Sequence, residues 1–207
     1  MAWAPAYAST AELRAYLRIP SGDTADDTHI DLAAEAASRA IDHHCNRQFG
    51  QVTTAEARVY TPRWDRHRAR WIIETDDIST TDDLAIMVDD DDDATYDLEI
   101  DVYRLYPYNA AAAGFPWTTI VVDPDSANIP TGAAGSVEVT AEWGWSAVPD
   151  TVKQACLLQG ARFWQRQQAP FGVAGSPELG SELRLLQKVD VDVAVMLRPF
   201  IRWWGAA

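Results

Sequence analysis

Ser136-Val137-Glu138-Val139-Thr140-Ala141-Glu142-Trp143-Gly144-Trp145 is the stretch on which the fold turns. Val137, Val139, Ala141 and Trp143 alternate with Glu138, Thr140 and Glu142, the period of two of a half-buried strand. Gly144 breaks the alternation. Pro149 then suits a first helical position, because its φ is preset and its missing N–H would lack a partner there. Asp150 stands where the helix dipole favours an acid. From Val152 onward Ala155, Cys156, Gly160 and Phe163 recur at helical spacing, while Leu157, Leu158, Ala161 and Trp164 widen the apolar face. The spacing predicts a long helix reaching Gln168 and buried on more than one side. Gly160 inside it costs about 1 kcal/mol against alanine, which implies close approach by another helix.

Working outward, Ser9-Thr10-Ala11-Glu12 has the spacing of a capping box and opens a short helix carrying Leu13, Tyr16 and Leu17. Pro20, Ser21 and Gly22 end it. A second helix starts near Thr28 and carries the stripe Ile30, Ala34, Ala37, Ile41 and Cys45, closing at Asn46-Arg47-Gln48-Phe49-Gly50. Its small residues predict tight packing on the Pro149 helix, with Ile30, Ala37, Ile41, Val152, Cys156, Gly160 and Phe163 forming the helical core.

Between Val52 and Trp145 the period is two, and β-branched and aromatic residues alternate with turn formers. Strands are expected at Ala55 to Thr61, Arg70 to Thr75, Leu84 to Val88, Thr95 to Tyr106 with a bend, Trp117 to Asp123 and Gly135 to Trp143. Asp89 to Asp93 reads as a hairpin tip, and Asn109 to Gly114 and Asp123 to Gly135 as loops. Strands that follow one another without helices predict an antiparallel sheet or small barrel. After Pro170 a Gly/Pro/Ser stretch runs to Gly180, followed by an extended piece from Leu183 to Val189. Asp190 or Asp192 caps a last helix through Val193, Met196, Leu197, Phe200 and Ile201, which Pro199 kinks or stops early. The expected class is α+β: a small helical bundle made of residues 1–51 and 146–207, with an antiparallel β domain inserted at 52–145.

Seventeen Lys and Arg against thirty-one Asp and Glu leave a net charge of −14, which argues against a surface that grips phosphate backbones. The charge is uneven: thirteen acids and no Lys or Arg lie between Glu74 and Asp101, directly after Arg63, Arg66, Arg68 and Arg70. No apolar run is long enough to span a bilayer, and Met1-Ala2-Trp3-Ala4-Pro5 lacks the basic and apolar blocks of a signal peptide, so an intracellular, soluble product is expected. Cys45 and Cys156 both fall in predicted helices and read as free, buried thiols.

Catalytic chemistry has no foothold in the sequence. His43-His44-Cys45 are adjacent helical residues pointing about 100° apart, so they do not converge on one metal. Asp89 to Asp93 lacks the alternating ligands, turn glycine and closing glutamate of an EF-hand loop. Glu138 and Glu142 near tryptophans fit the wet face of a strand better than a glycosidase pair. There is no phosphate loop, nucleophile elbow or Ser/His/Asp arrangement. No catalytic, cofactor or metal residue is therefore assigned. Arg63 to Arg70, interleaved with Trp64 and Trp71, has the make-up of a single-strand stacking surface, but the acid-rich stretch beside it opposes nucleic acid. Charge complementarity between subunits is the more economical reading: Arg63, Arg66, Arg68 and Arg70 of one copy facing Asp89, Asp90 and Asp91 of the next in a head-to-tail ring.

The succession of a short capped helix, a second helix ending in Asn46-Arg47-Gln48-Phe49, a β insertion, and Trp143-Gly144-Trp145…Val148-Pro149 leading into a long helix resembles one family. Arg162, the Pro170-Phe171-Gly172-Val173 loop, and Asp190-Val191-Asp192-Val193 before Leu197-Arg198-Pro199-Phe200 extend the resemblance over most of the chain. The family is that of the head-to-tail adaptors, or head completion (connector) proteins, of long-tailed double-stranded DNA phages. The resemblance implies a non-enzymatic virion protein, made in the host cytoplasm and assembled as a dodecameric ring between the portal and the stopper or tail. It implies a terminal segment that docks on the portal through Arg198, Phe200, Arg202, Trp203 and Trp204, with double-stranded DNA passing through the ring without specific binding. The implied partners are further copies of the chain, the portal protein and a stopper or tail-completion protein, with no cofactor and no membrane. Two other readings stand beside it. One is a carbohydrate-binding or carbohydrate-active domain using the tryptophan-rich sheet. The other is a stopper or tail-completion ring protein, a type that lacks the long helix after the sheet.

Overall fold

The computed structural model describes residues 4–168, 173–174, 183–184 and 190–203. The class is α+β, with helices and antiparallel sheets. The described residues fall into two compact units, one formed by residues 50–147 and the other by residues 4–49 with those described after 147.

In the helical unit, α1 (Thr10–Tyr16) begins at a complete capping box: the Ser9 N–H donates to Glu12 Oε2 at 2.9 Å, and the Glu12 N–H donates to Ser9 Oγ at 3.3 Å. Helix α2 (Asp27–Cys45) buries Ile30, Ala33, Ala34, Ala37, Ser38, Ile41 and Cys45 along one stripe. Asn46 closes it in the left-handed conformation, with φ of 51°. Near its start, Asp31 accepts from Thr10 Oγ1 at 2.8 Å and ties α2 to α1. The stripe meets the long helix Asp150–Gln168, labelled α4 below, where Cys156 Sγ lies 3.4 Å from Ser38 Oγ. A Cβ on Gly160 would lie 3.0 Å from Leu13 Cδ2. The missing side chain therefore makes room for α1, where the leucine belongs to a core with Ile30, Ala33, Ala34 and Ala161. Ile30, Ala37, Ile41, Val152 and Cys156 are buried, and Phe163 is half-buried.

The last helix, labelled α5 (Val191–Leu197), starts at Asp190, whose carboxylate accepts from the Asp192 N–H at 2.9 Å. The expected early stop at Pro199 takes the form of a 3-10 turn over Arg198–Phe200. Val173–Ala174 and Leu183–Arg184 form a short antiparallel pair. Trp204, the Pro170-Phe171-Gly172 loop and residues 185–189 lie outside the described residues.

The β unit contains two four-stranded antiparallel sheets. One has β1 (Glu56–Tyr60), β8 (Val137–Ala141), β4 (Ala85–Val88) and β5 (Leu98–Glu99) in that spatial order; the other has β2 (Arg63–Asp65), β3 (Arg70–Ile78), β7 (Trp117–Val122) and β6 (Tyr103–Tyr106). Their inward residues share one core: Ile86, Val88, Val137, Val139 and Ala141 from the first sheet, with Ile73, Ile78, Ile120 and Val122 from the second. A bridge between Ile78 and Trp143 joins the sheets at a corner. Three expectations need correction. The single bent strand from Thr95 to Tyr106 is two strands in different sheets, because the chain crosses over at buried Ile100. Arg63–Asp65, which lies between the expected strands, is itself a strand, and a one-turn helix α3 (Ala110–Ala113) interrupts the loop expected at Asn109 to Gly114. Gly144 has φ of 106°, and a Cβ on it would fall 1.9 Å from the Gly50 carbonyl oxygen. Only glycine allows Gln51 to pair with this position.

Candidate functional site

Strands β2 and β3 form a hairpin whose tip carries Arg66 and Arg68. Asp65 holds the turn by accepting from the His67 N–H at 2.9 Å and the Arg68 N–H at 3.3 Å. Trp64 and Trp71 are direct cross-strand partners, their rings edge to face with centroids 5.2 Å apart. The loop after β7 places Gly132 against the Trp71 indole. Between that loop and the hairpin lies a cavity of about 110 Å³, lined by Trp64, Trp71, Val122, Pro124 and Ile129 with Arg70 and Asp123 at one wall.

Asp123 is the electrostatic hub of this wall. Its carboxylate accepts from Arg70 at 2.9 Å and pairs with Arg104 of β6 at 3.1 Å. The Asp125 N–H, then the Arg70 and Arg104 guanidinium groups, hold its carboxyl below the usual range. Two cations sharing one anion leave the wall net positive. Beside Arg104, the Tyr106 and Tyr108 rings lie 4.1 Å apart with a hydrogen bond between their hydroxyls. That bond and one to Arg104 push the Tyr108 hydroxyl pKa down. Arg63 pairs loosely with Glu74 at 3.5 Å and Arg68 with Asp65 at 4.0 Å; exposed Arg66 has no ion-pair partner among the described residues.

Asp89, Asp90 and Asp91 do not form one surface. Asp89 is buried and accepts from the backbone N–H groups of Asp92, Asp93 and Ala94 at 2.8, 3.3 and 2.9 Å, so it organises the loop from inside. Asp90 to Asp93 are exposed. Asp89, Asp91 and Asp93 place carboxylate oxygens within 4.8 Å of one another, but those of Asp89 are already engaged by the backbone. Repulsion from Asp93 pushes the Asp91 carboxyl pKa up.

At the other end of the chain, Phe200 is turned inward rather than outward, with its ring edge to face with Phe49 at 5.7 Å. Phe49 in turn meets Tyr7 at 5.7 Å and donates its N–H to the Tyr7 hydroxyl at 2.9 Å. The Arg202 N–H donates to the Cys45 carbonyl at 2.8 Å. Arg198 is exposed, and Trp203, 84% exposed, is the one aromatic of this segment that stands clear among the described residues. His43, His44 and Cys45 point apart as helical neighbours must; the Cys45 thiol is buried and free.

Sequence reasoning found the arginines and the two tryptophans but missed Arg104, Tyr108, Asp123 and Ile129. The antiparallel pairing of β6 with β7 brings Arg104 next to Asp123, the residue that follows β7, and no local pattern announces it.

No protein-family model matches the sequence, and no curated protein matches it. A search of solved structures finds the fold. The chain is similar, over 100% of its length and 96% of the other chain, to a chain of the "Neck of empty GTA particle computed with C6 symmetry", with a TM-score of 0.58 and 21% identity.

Proposed function

We propose that this chain is a non-enzymatic structural subunit of a phage-type virion neck, forming a homo-oligomeric ring between the portal and the stopper or tail. The observation that carries the reading is the full-length likeness in fold to a component of a particle neck. A partial match would fit a shared module; agreement across both units fits a shared part. The long helix α4 after the β unit favours the adaptor position over a stopper.

In this reading the tip arginines Arg66 and Arg68 face Asp90 and Asp91 of the neighbouring copy, and the acidic surface repels the phosphates of DNA sliding through the bore. Arg198, Trp203 and Trp204 form the portal-docking end. Phe200 and the Arg202 backbone belong to the fold, so a truncation at Pro199 would test folding rather than docking. The test is mass measurement of the full chain alone, mixed with its portal ring, and shortened by residues 203–207. Ring-sized complexes with the portal that are lost on this shortening support the reading. A chain that neither self-assembles nor binds the portal overturns it.

A further inference from the structure

The arginine hairpin carries more than charge, because a cavity opens at its base. Its volume, about 110 Å³, is smaller than the ~150 Å³ apolar cavity that takes up benzene, which suits a single aliphatic side chain. Its walls are tryptophan and isoleucine; Trp64 and Ile129 are 44% and 53% exposed. Arg70 and Arg104 share Asp123 beside it. Trp, Tyr and Arg are the residue types that dominate interface energetics. An occupant matched to this wall is an apolar side chain with carboxylates next to it.

One such side chain stands out among the described residues. Among the described residues, the large apolar side chains more than half exposed include Leu32, Val59, Val191, Val195 and Trp203. Val59 follows Arg58, Trp203 follows Arg202, and Val195 stands one turn before exposed Arg198; Val191 lies between Asp190 and Asp192, but the Asp190 carboxylate is already held by Arg162 and the Asp192 N–H. Leu32, 57% exposed on rigid α2, stands between Asp31 and Glu35, both exposed. Asp31 keeps one oxygen on Thr10 and has the other to offer.

We propose that the cavity between Trp64, Trp71 and Ile129 is a socket for Leu32 of a neighbouring copy of this chain, with Asp31 and Glu35 reaching the arginine rim. The inference rests on the reading of the chain as a ring subunit. Knob and socket are different patches, so the contact is head-to-tail and repeats from copy to copy, as a ring requires.

The test uses the full chain. Leu32→Cys protein is mixed with Ile129→Cys protein and treated with a short bis-maleimide; native Cys45 and Cys156 are buried. A covalent dimer is expected on mixing and not with either variant alone. Leu32→Asp should lower the assembly constant about tenfold or more. Ring-sized assembly of the unmodified chain without the mixed cross-link, or with Val195→Cys linking in place of Leu32→Cys, overturns the socket and leaves the ring reading intact. A chain monomeric at millimolar concentration and on its portal overturns both.

Discussion

The indole of Trp71 lies so close to Gly132 that a Cβ on the glycine would sit 2.7 Å from the Cη2 atom. Gly132 has φ of 85°, and Gly114 has φ of 70° with nothing within 4 Å of its imagined Cβ. Alanine at either position meets the left-handed penalty of about 1 kcal/mol or more. Only Gly132→Ala also displaces the indole that walls the cavity, at a further ~1–3 kcal/mol. Urea unfolding should therefore rank Gly132→Ala as the more destabilising change. Equal losses would mean that Trp71 yields freely and the cavity wall is soft.

Phe200 and Trp203 are three positions apart and have opposite exposures, 9% and 84%. Phe200→Ala removes a ring packed on Phe49 and should cost about 3–5 kcal/mol. Trp203→Ala should change stability by less than about 0.5 kcal/mol. Thermal melts of the two variants check this. If Trp203→Ala matched Phe200→Ala, the terminal tryptophan would be part of the fold and unsuited to docking.

The contrast between these two aromatics shows where the sequence stops being informative. Alternation from Val137 to Trp143, Pro149 before an apolar period and the Ser9–Glu12 spacing are local signals, and β8, α4 and α1 stand where those signals put them. Phe200 sits in an arginine-rich terminal segment that has no local mark of direction; its inward turn is set by Phe49, far away in sequence. Asp89 likewise cannot be told from four identical neighbours until the loop closes around its carboxylate. Arg63–Asp65 is too short for its alternation to register, and its strand depends on pairing with Arg70 to Ile72.

Glu12 links the cap of α1 to Lys153 of α4. The Lys153 ammonium, then the Ser9 N–H and hydroxyl, lower its carboxyl pKa from 4.5 to about 2. A depressed acid contributes stability that is fully present above its unfolded pKa and is lost as pH falls through the folded one. The helical unit should therefore lose this contribution between about pH 4.5 and about pH 2. The pair is substantially exposed, so the amount is below about 1 kcal/mol. In Glu12→Gln that part of the acid profile, followed by urea unfolding and helical circular dichroism, should flatten. An unchanged profile would assign acid sensitivity to other carboxylates.

Asp89 and Asp91 are two residues apart and should respond in opposite ways. Asp89→Ala strips the acceptor from three backbone N–H groups in a partly buried loop. Hydrogen bonds to a charged group contribute about 1.5–3 kcal/mol each before local rearrangement, so a loss of at least about 2 kcal/mol is expected. Asp91→Asn removes a charge that Asp93, then Asp90 and Asp89, repel, which is why its carboxyl pKa is raised. The folded β unit should be no less stable for losing it. Urea unfolding of the β unit, read through the buried indole of Trp143, distinguishes the two. Equal destabilisation by Asp91→Asn would mean that the loop depends on a bound cation rather than on the Asp89 carboxylate, because only a cation would turn those crowded charges from a liability into a support.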